Sequence, residues 1–362
     1  MTEMQCGPLD SWYEENLVCP VDRTDLKFDG RHLISMGGRS YPVIQGIPVL
    51  LVEREEQTIG VAAATIQRTR RQTQPSDLFV TDFYLETLGI STEEKDELLK
   101  LSQGPTEIDP VVSVIIAATC GNAYKHLVGN RRLSEYPIPI IDLIPLAKGN
   151  RLLDIGCNWG RWSIAAARKG FATVGIDPSL GAIMAARRVA KQLNLDNKYL
   201  VADARFLPFR DRFFDAVYSY SVLQHFSKDH ARTAIGEIGR VLDRGGIAKI
   251  QMANKMGLRN LYQQAERSRG GPRPFDVRYW SMKELHSTFS KCIGETMITA
   301  DCFFGLGWQW SDFRYMKLLH KPILVISELL KRISHVLSPL RIVADSLFCT
   351  AVKASSRAPY ER

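Results

Sequence analysis

The stretch RLLDIGCNWGRWSIAAARKG, Arg151 to Gly170, constrains the fold more than any other. Its apolar start reads as a buried strand, its glycines at 156 and 160 permit a tight turn, and the alanine-rich continuation reads as a helix. A chain turns this way where a ligand must rest on bare backbone at a helix N-terminus. The rhythm then repeats. Strands are expected at Arg151–Ile155, Ala172–Ile176, Lys198–Ala202, Phe214–Ser219 and Ile247–Met252, with helices over RWSIAAARKG, SLGAIMAARRVAKQLN and HARTAIGEIGRVL. Such alternation predicts an α/β fold: a parallel sheet with helices on both faces, binding its ligand beyond the C-terminal strand ends at the switch point.

The flanks differ. LVCPVDRTDLKFDGRHLISMGGRSYPVIQGIPVLLVE alternates short β-type runs with Asp-Gly, Gly-Gly and Gln-Gly turn signals, which predicts a small β-rich module over residues 1–53. Residues 54–135 read as a polar, Arg-rich linker and a helical cap. In that cap STEEKDELLKLS carries a capping-box signature and IDPVVSVIIAATCGNAYKHLVG has helical spacing. Residues 136–362 form the main domain, with a substrate-lid insertion expected over about 255–343.

A chain of 362 residues, 45% hydrophobic, can bury a sizeable core. Its seven cysteines include no C-x-x-C pair, which points to a reducing cytoplasm rather than a disulfide scaffold. The polar, acidic start MTEMQCGPLDSWYEEN lacks a secretory pattern, and no apolar run is long enough to span a bilayer. Charge is uneven: residues 1–150 carry 14 Lys+Arg against 21 Asp+Glu, and residues 151–362 carry 33 against 18. The basic half suits an anionic substrate, a nucleic acid or a membrane surface, and equally an ordinary solvated face.

The turn is not a dinucleotide fingerprint. G-x-G-x-x-G started at Gly156 would need glycine at Asn158, and Gly160 falls one residue too early for the third. The pattern is D-x-G-x-x-x-G, from Asp154 to Gly160. The second strand ends in VGIDPS, where the Asp177 carboxylate can accept both hydrogen bonds of a ribose diol. The third ends in VADARFLPF, where Asp203 can accept from an exocyclic amine. Each acid alone could simply cap a turn; their placement after successive strands favours a nucleoside ligand.

DIGCNWGRW, VGIDPS, VADARFLPF, FDAVYSYSVLQHF and GRVLDRGGIAKIQM together resemble class I S-adenosylmethionine-dependent methyltransferases, the ubiquinone-methylase-like group especially, over about Arg151–Met252. The resemblance implies a Rossmann-like seven-stranded sheet and S-adenosylmethionine as cofactor. It places Asp154, Gly156, Cys157, Asn158 and Gly160 around the methionine end, Asp177 and Pro178 at the ribose, Asp203 and Ala204 at the adenine, and Ser219 and Tyr220 near the sulfonium. Asn158 departs from the group's usual glycine loop. CPVDRTDL and YPVIQGIPVLL resemble the zinc-ribbon-like module that activates certain tRNA and protein methyltransferases. Here Cys19 faces Asp22 where a second cysteine is usual, so no tetrahedral site can form and the module is expected to be metal-free.

The expected function is methyl transfer, at oxygen, to a small-molecule, glycan-like or lipid-linked acceptor. His225 is the candidate base, Gln224 its orienting neighbour, and Asn254 and Tyr279 are further substrate contacts. The alternative for His225 is packing or capping at the start of the following helix. Part of the aromatic run MITADCFFGLGWQWSDFRYM suits a pocket wall, and the amphipathic KPILVISELLKRISHVLSPLRIVADSLF reads first as a helix packed on the domain with its basic face in water, the alternative being a substrate lid with a peripheral membrane contact. An RNA acceptor, at ribose or carbon, is the weaker alternative, since no N/D-P-P-Y/F motif follows the fourth strand and no RNA-binding signature appears. A non-catalytic S-adenosylmethionine-binding scaffold is a third. Oligomeric state is left open.

Overall fold

A computed structural model describes residues 9–53, 55–57, 60–70, 108–109, 112–113, 115–116, 126–127, 133–143, 149–267, 277–305, 307 and 309–354. The expected capping box at 91–102, and most of the helical cap, lie outside them. After helix α1 (Ser11–Asn16) come strands β1 (Leu26–Phe28), β2 (His32–Ser35), β3 (Ser40–Ile44) and β4 (Ile47–Leu50), then α2 (Gly60–Arg70). The main rhythm is β5 (Arg151–Ile155), α3 (Arg161–Ala167), β6 (Ala172–Asp177), α4 (Leu180–Gln192), β7 (Lys198–Ala202), β8 (Phe214–Ser219), α5 (Lys228–Val241) and β9 (Leu242–Ala253). It closes with α6 (Leu258–Arg267), α7 (Met282–Cys292), β10 (Gly294–Cys302), α8 (Lys321–Val336) and β11 (Ser346–Lys353).

The strands after residue 151 form where continuous apolar runs meet turn residues. β8 is buried along its whole length, and β5, β6 and β7 at every position but the first, as parallel strands covered on both faces must be. Their helices are capped by sequence-local groups. The Ser179 hydroxyl accepts from the Ala182 amide at 3.2 Å, Ser227 does the same for His230, and Ser281 and Glu284 close a capping box on α7.

The sheet runs β7-β6-β5-β8-β9-β11-β10 on its C-terminal side. β5 to β9 are parallel where they pair, and β11 is antiparallel to both β9 and β10. The order reverses at β5, so the switch point lies beyond Ile155 and Ser219.

The seven-stranded expectation undercounts, because eleven strands among the described residues join one sheet. β1 to β4 form an antiparallel meander, and β4 then pairs in parallel with β7, Val49 opposite Val201 and Leu50 opposite Ala202. Leu17, Leu26 and Leu33 share one core with Leu200, Leu207 and Phe209, and the Tyr13 hydroxyl donates to the Tyr199 carbonyl at 2.8 Å. Cys19 is buried with its Sγ 3.2 Å from the Tyr41 hydroxyl. Asp22, where a zinc ribbon would place cysteine, accepts from the Thr24 hydroxyl and amide, which hold its carboxyl down to about 2.

Within 255–343, α7 and β10 belong to the sheet layer: β10 pairs with β11 from Gly294↔Lys353 to Cys302↔Ser346. The described residues outside that layer are 255–267, 277–281, 303–305, 307 and 309–343.

Candidate functional site

The turn after β5 is built to be bare. Gly156 has φ +71°, and a Cβ there would lie 2.2 Å from Cγ2 of Val222, so no side chain fits. Gly160, φ +85°, would place a Cβ 2.6 Å from the Tyr199 hydroxyl. Between them Asn158 adopts φ +53°. Asparagine tolerates this left-handed conformation better than most residues, which explains how the loop departs from the usual glycine and keeps its path. The Gly156 and Cys157 amides both donate to the Ile176 carbonyl, at 2.8 and 2.9 Å, tying the turn to the end of β6.

Two buried acids flank it. Asp154, 1% exposed, accepts from the Ser163 hydroxyl at 2.6 Å through Oδ2, while its Oδ1 has no hydrogen-bond partner among the described residues. Burial raises its carboxyl to about 7. Asp177 accepts from the Asn158 amide at 3.1 Å and the Ser179 amide at 2.9 Å, one on each oxygen, which leaves lone pairs for further donors. Burial raises it to about 6. Pro178 follows, and its carbonyl accepts from the Thr65 hydroxyl of α2 at 2.9 Å. A buried carboxylate oxygen without a donor, beside a glycine turn stripped of side chains and a second acid, fits a ligand carrying an ammonium group and a diol.

Asp203 departs from expectation. It lies buried at the end of β7 with Ala204, but both its oxygens accept from Arg205, through the backbone amide, Nε and Nη2 at 2.7–3.2 Å. Arg205 is itself only 4% exposed and also donates to the Glu56 carbonyl. An exocyclic amine would have to share an acceptor that Arg205 already saturates.

The end of β8 carries the other half. Ser219 is fully buried and donates to the Ile155 carbonyl at 3.0 Å, a stitch between β8 and β5. The Tyr220 hydroxyl donates to Asp301 at 2.8 Å, and the same carboxylate oxygen accepts from Ser346 at 2.7 Å. Ser346 accepts from the Gln251 amide, whose oxygen holds the Ser221 backbone N–H, and Ser221 itself sits at φ +62°. This buried chain fixes the path out of β8.

A 3-10 turn, Leu223–His225, follows. Gln224, 1% exposed, donates to the Ser221 hydroxyl at 2.8 Å, and its Oε1 has no partner among the described residues. His225 is half-buried. Arg278 braces both residues, its amide donating to the Gln224 carbonyl at 2.7 Å and its guanidinium to the His225 carbonyl at 3.0 Å. The next residue, Tyr279, donates to Gln263 of α6 at 3.0 Å.

Asn254, expected to touch substrate, has its side chain taken up inside the fold. It is fully buried; its amide donates to the Ile342 and Ala344 carbonyls at 2.7 Å, and its oxygen accepts from the Met256 amide. The residue pins 342–344 to the end of β9.

The sequence also gave no sign of Arg161 at the start of α3, which ion-pairs with the buried Asp312 at 2.7 Å and donates to the Pro137 carbonyl. That pair fastens the 309–316 segment over the glycine turn's helix. The neighbouring Trp162 packs at a tilt against Tyr218 and Tyr220, ring centroids 4.8 and 4.9 Å apart.

Residues 152–246 match a family model described as a methyltransferase domain. Three curated proteins are similar over part of the chain. A 24-methylenesterol C-methyltransferase 2 of Oryza sativa is 34% identical over 30% of this chain and 30% of its own length. A tRNA (carboxymethyluridine(34)-5-O)-methyltransferase of Arabidopsis thaliana is 32% identical over 33% of this chain and 28% of its own. A ubiquinone biosynthesis O-methyltransferase of Azorhizobium caulinodans is 32% identical over 31% of this chain and 39% of its own. The chain thus spans about a third of each. Strand order, glycine turn and family match together make the 152–246 segment a Rossmann-like methyltransferase domain, and its cofactor is S-adenosylmethionine.

Proposed function

We propose that the whole chain is an S-adenosylmethionine-dependent methyltransferase acting, at oxygen, on a small-molecule, glycan-like or lipid-linked acceptor. The unpartnered buried Oδ1 of Asp154 beside the bare Gly156 turn carries this reading. When bound, the cofactor supplies a methyl group on a positively charged sulfur. In this reading Asp154 receives the cofactor's ammonium, the turn from Gly156 to Gly160 lies along its methionine portion, and Asp177 accepts from the ribose hydroxyls. Because Arg205 occupies Asp203, adenine recognition falls to the backbone near Ala204 and to apolar packing. Gln224 and His225 stand beyond β8, where the acceptor arrives, and His225 takes the acceptor's proton. Positioning supplies much of the remaining catalysis, since the sulfonium is already reactive.

Calorimetric titration with S-adenosylmethionine, S-adenosylhomocysteine and NAD tests the binding half. The first two are expected to bind and NAD not to; NAD binding alone would refute the assignment. Release of S-adenosylhomocysteine across an acceptor screen tests the transfer half. An RNA acceptor is the second reading, favoured by the similarity to the Arabidopsis tRNA enzyme. Salt-dependent RNA binding would select it.

The Asp154 carboxyl, at about 7, gives the binding a pH dependence. An ammonium ligand needs it ionised, so binding expels a proton below about pH 7. Affinity is expected to fall by up to about tenfold per pH unit on acidification below that point. Titrations in buffers of different ionisation enthalpy read the released proton directly, and a pH-independent affinity would remove Asp154 from this role. The ligand-free protein runs the other way. Asp154 and Asp177 hold protons in the fold that the unfolded chain has released, so stability is expected to decline as pH rises from about 4 to about 7.

The N-terminal meander is proposed to be a metal-free extension of the sheet. Elemental analysis of purified protein is expected to find no stoichiometric zinc, and about one zinc per chain would reverse this.

A further inference from the structure

Helix α8 carries apolar side chains on its outer face as well as its inner one. It presses Leu324, Ser327 and Ser334 against the protein, with the Ser327 hydroxyl accepting from the Phe303 amide at 2.9 Å. Its exposed face carries Pro322, Val325, Ile326, Leu329 and Val336. The apolar surface continues at both ends: Leu318, Leu319 and Val336 are 81%, 85% and 83% exposed, and Leu337 and Ile342 are exposed as well. A folded domain normally buries such a stripe, and a contiguous apolar patch marks a contact site.

Charge says what kind of contact. Between residues 309 and 343 the chain holds six Lys and Arg and only two acids. Both acids are engaged, Asp312 with Arg161 at 2.7 Å and Glu328 with Lys331 at 3.9 Å. On the helix, Lys321 and Arg332 flank the apolar stripe, and Lys317 stands just before Leu318 and Leu319. A second copy docking face to face would bring these cations together, which disfavours self-association. Among the described residues no helix, α8 included, is long and apolar enough to cross a membrane.

We propose that the exposed face of α8, with the Leu318–Leu319 turn before it, is a docking surface for an anionic lipid bilayer. Apolar side chains enter the boundary between headgroups and acyl chains, and Lys317, Lys321 and Arg332 meet the anionic headgroups. The face has a place in the architecture. α8 packs beside the C-terminal half of β10, and β10 runs parallel to β9, so its end at Cys302 shares the sheet edge where the glycine turn opens. The surface is independent of the methyltransferase reading, and it would bring that edge near a bilayer.

Sedimentation with vesicles of phosphatidylcholine alone, and of phosphatidylcholine with phosphatidylglycerol, tests it on the full chain. Binding is expected only with the anionic lipid and should weaken as salt rises. Leu319→Ser combined with Leu329→Ser should reduce it by about tenfold or more, with thermal stability and S-adenosylmethionine affinity unchanged because both side chains are exposed. Lys317→Glu or Arg332→Glu should each reduce it by about fivefold or more. No binding to either vesicle, binding that the leucine pair leaves intact, or a dimer that the pair dissolves without any vesicle binding would each overturn the proposal.

Discussion

Replacing Asp177 with alanine is expected to weaken S-adenosylmethionine binding by about 2–4 kcal/mol, less if water takes the place of the carboxylate. Two effects combine. The proposed ribose hydroxyls lose a charged acceptor, and the Asn158 and Ser179 amides lose the oxygens that hold the turn to α4. Asp177→Asn separates them, since a side-chain amide keeps one acceptor for the backbone and gives up the charge. Calorimetry against both cofactor forms, with thermal melting alongside, reads the two contributions. An alanine variant that melts normally and binds with undiminished affinity would take Asp177 out of the site.

His225→Ala is expected to leave cofactor affinity nearly unchanged and to lower turnover roughly a hundredfold or more once an acceptor is found. The rate of the wild-type protein should fall on acidification, as an imidazole base takes up a proton, and the variant should lose that limb. The main chain of this turn is held independently of the imidazole. The His225 backbone carbonyl is held by Arg278, and its neighbour Gln224 is held by Ser221, so removing the imidazole leaves the turn's main-chain bonds in place. Near-normal turnover with an unaltered pH profile would pass the role to another group or to positioning alone.

Much of the fold from residue 151 onward was legible, because apolar runs, glycine turns and serine caps are local signals. β5, β7 and β8 occupy the expected residues, and β6 extends one further. What stayed hidden depends on partners distant in sequence. Nothing near Val49 announces that it pairs with Val201. Asp203 looked like a free acceptor because its burial together with Arg205 depends on the packing around both residues. Asn254 looked polar and available, yet the chain returns at residues 342–344 to engulf it. The Gln251–Ser346–Asp301–Tyr220 chain joins three strands and a loop, each ordinary on its own. α8 misled in the opposite sense: an amphipathic pattern says which residues share a face, and only packing says which face turns inward.

The parallel pairing of β4 with β7 also sets an order of assembly. As the chain emerges from the ribosome, β1 to β4 can close their antiparallel meander early, since all their mutual contacts are local. The outer edge of β4 then waits through synthesis of everything from Val49 to Val201 with its backbone groups unpaired, and it cannot be covered until β7 has left the exit tunnel. That interval is when the nascent protein is most exposed to pairing with the wrong strand. Chaperone dependence should therefore peak before residue 202 is synthesised, and a stalled chain ending short of β7 should aggregate more readily than one ending just beyond it.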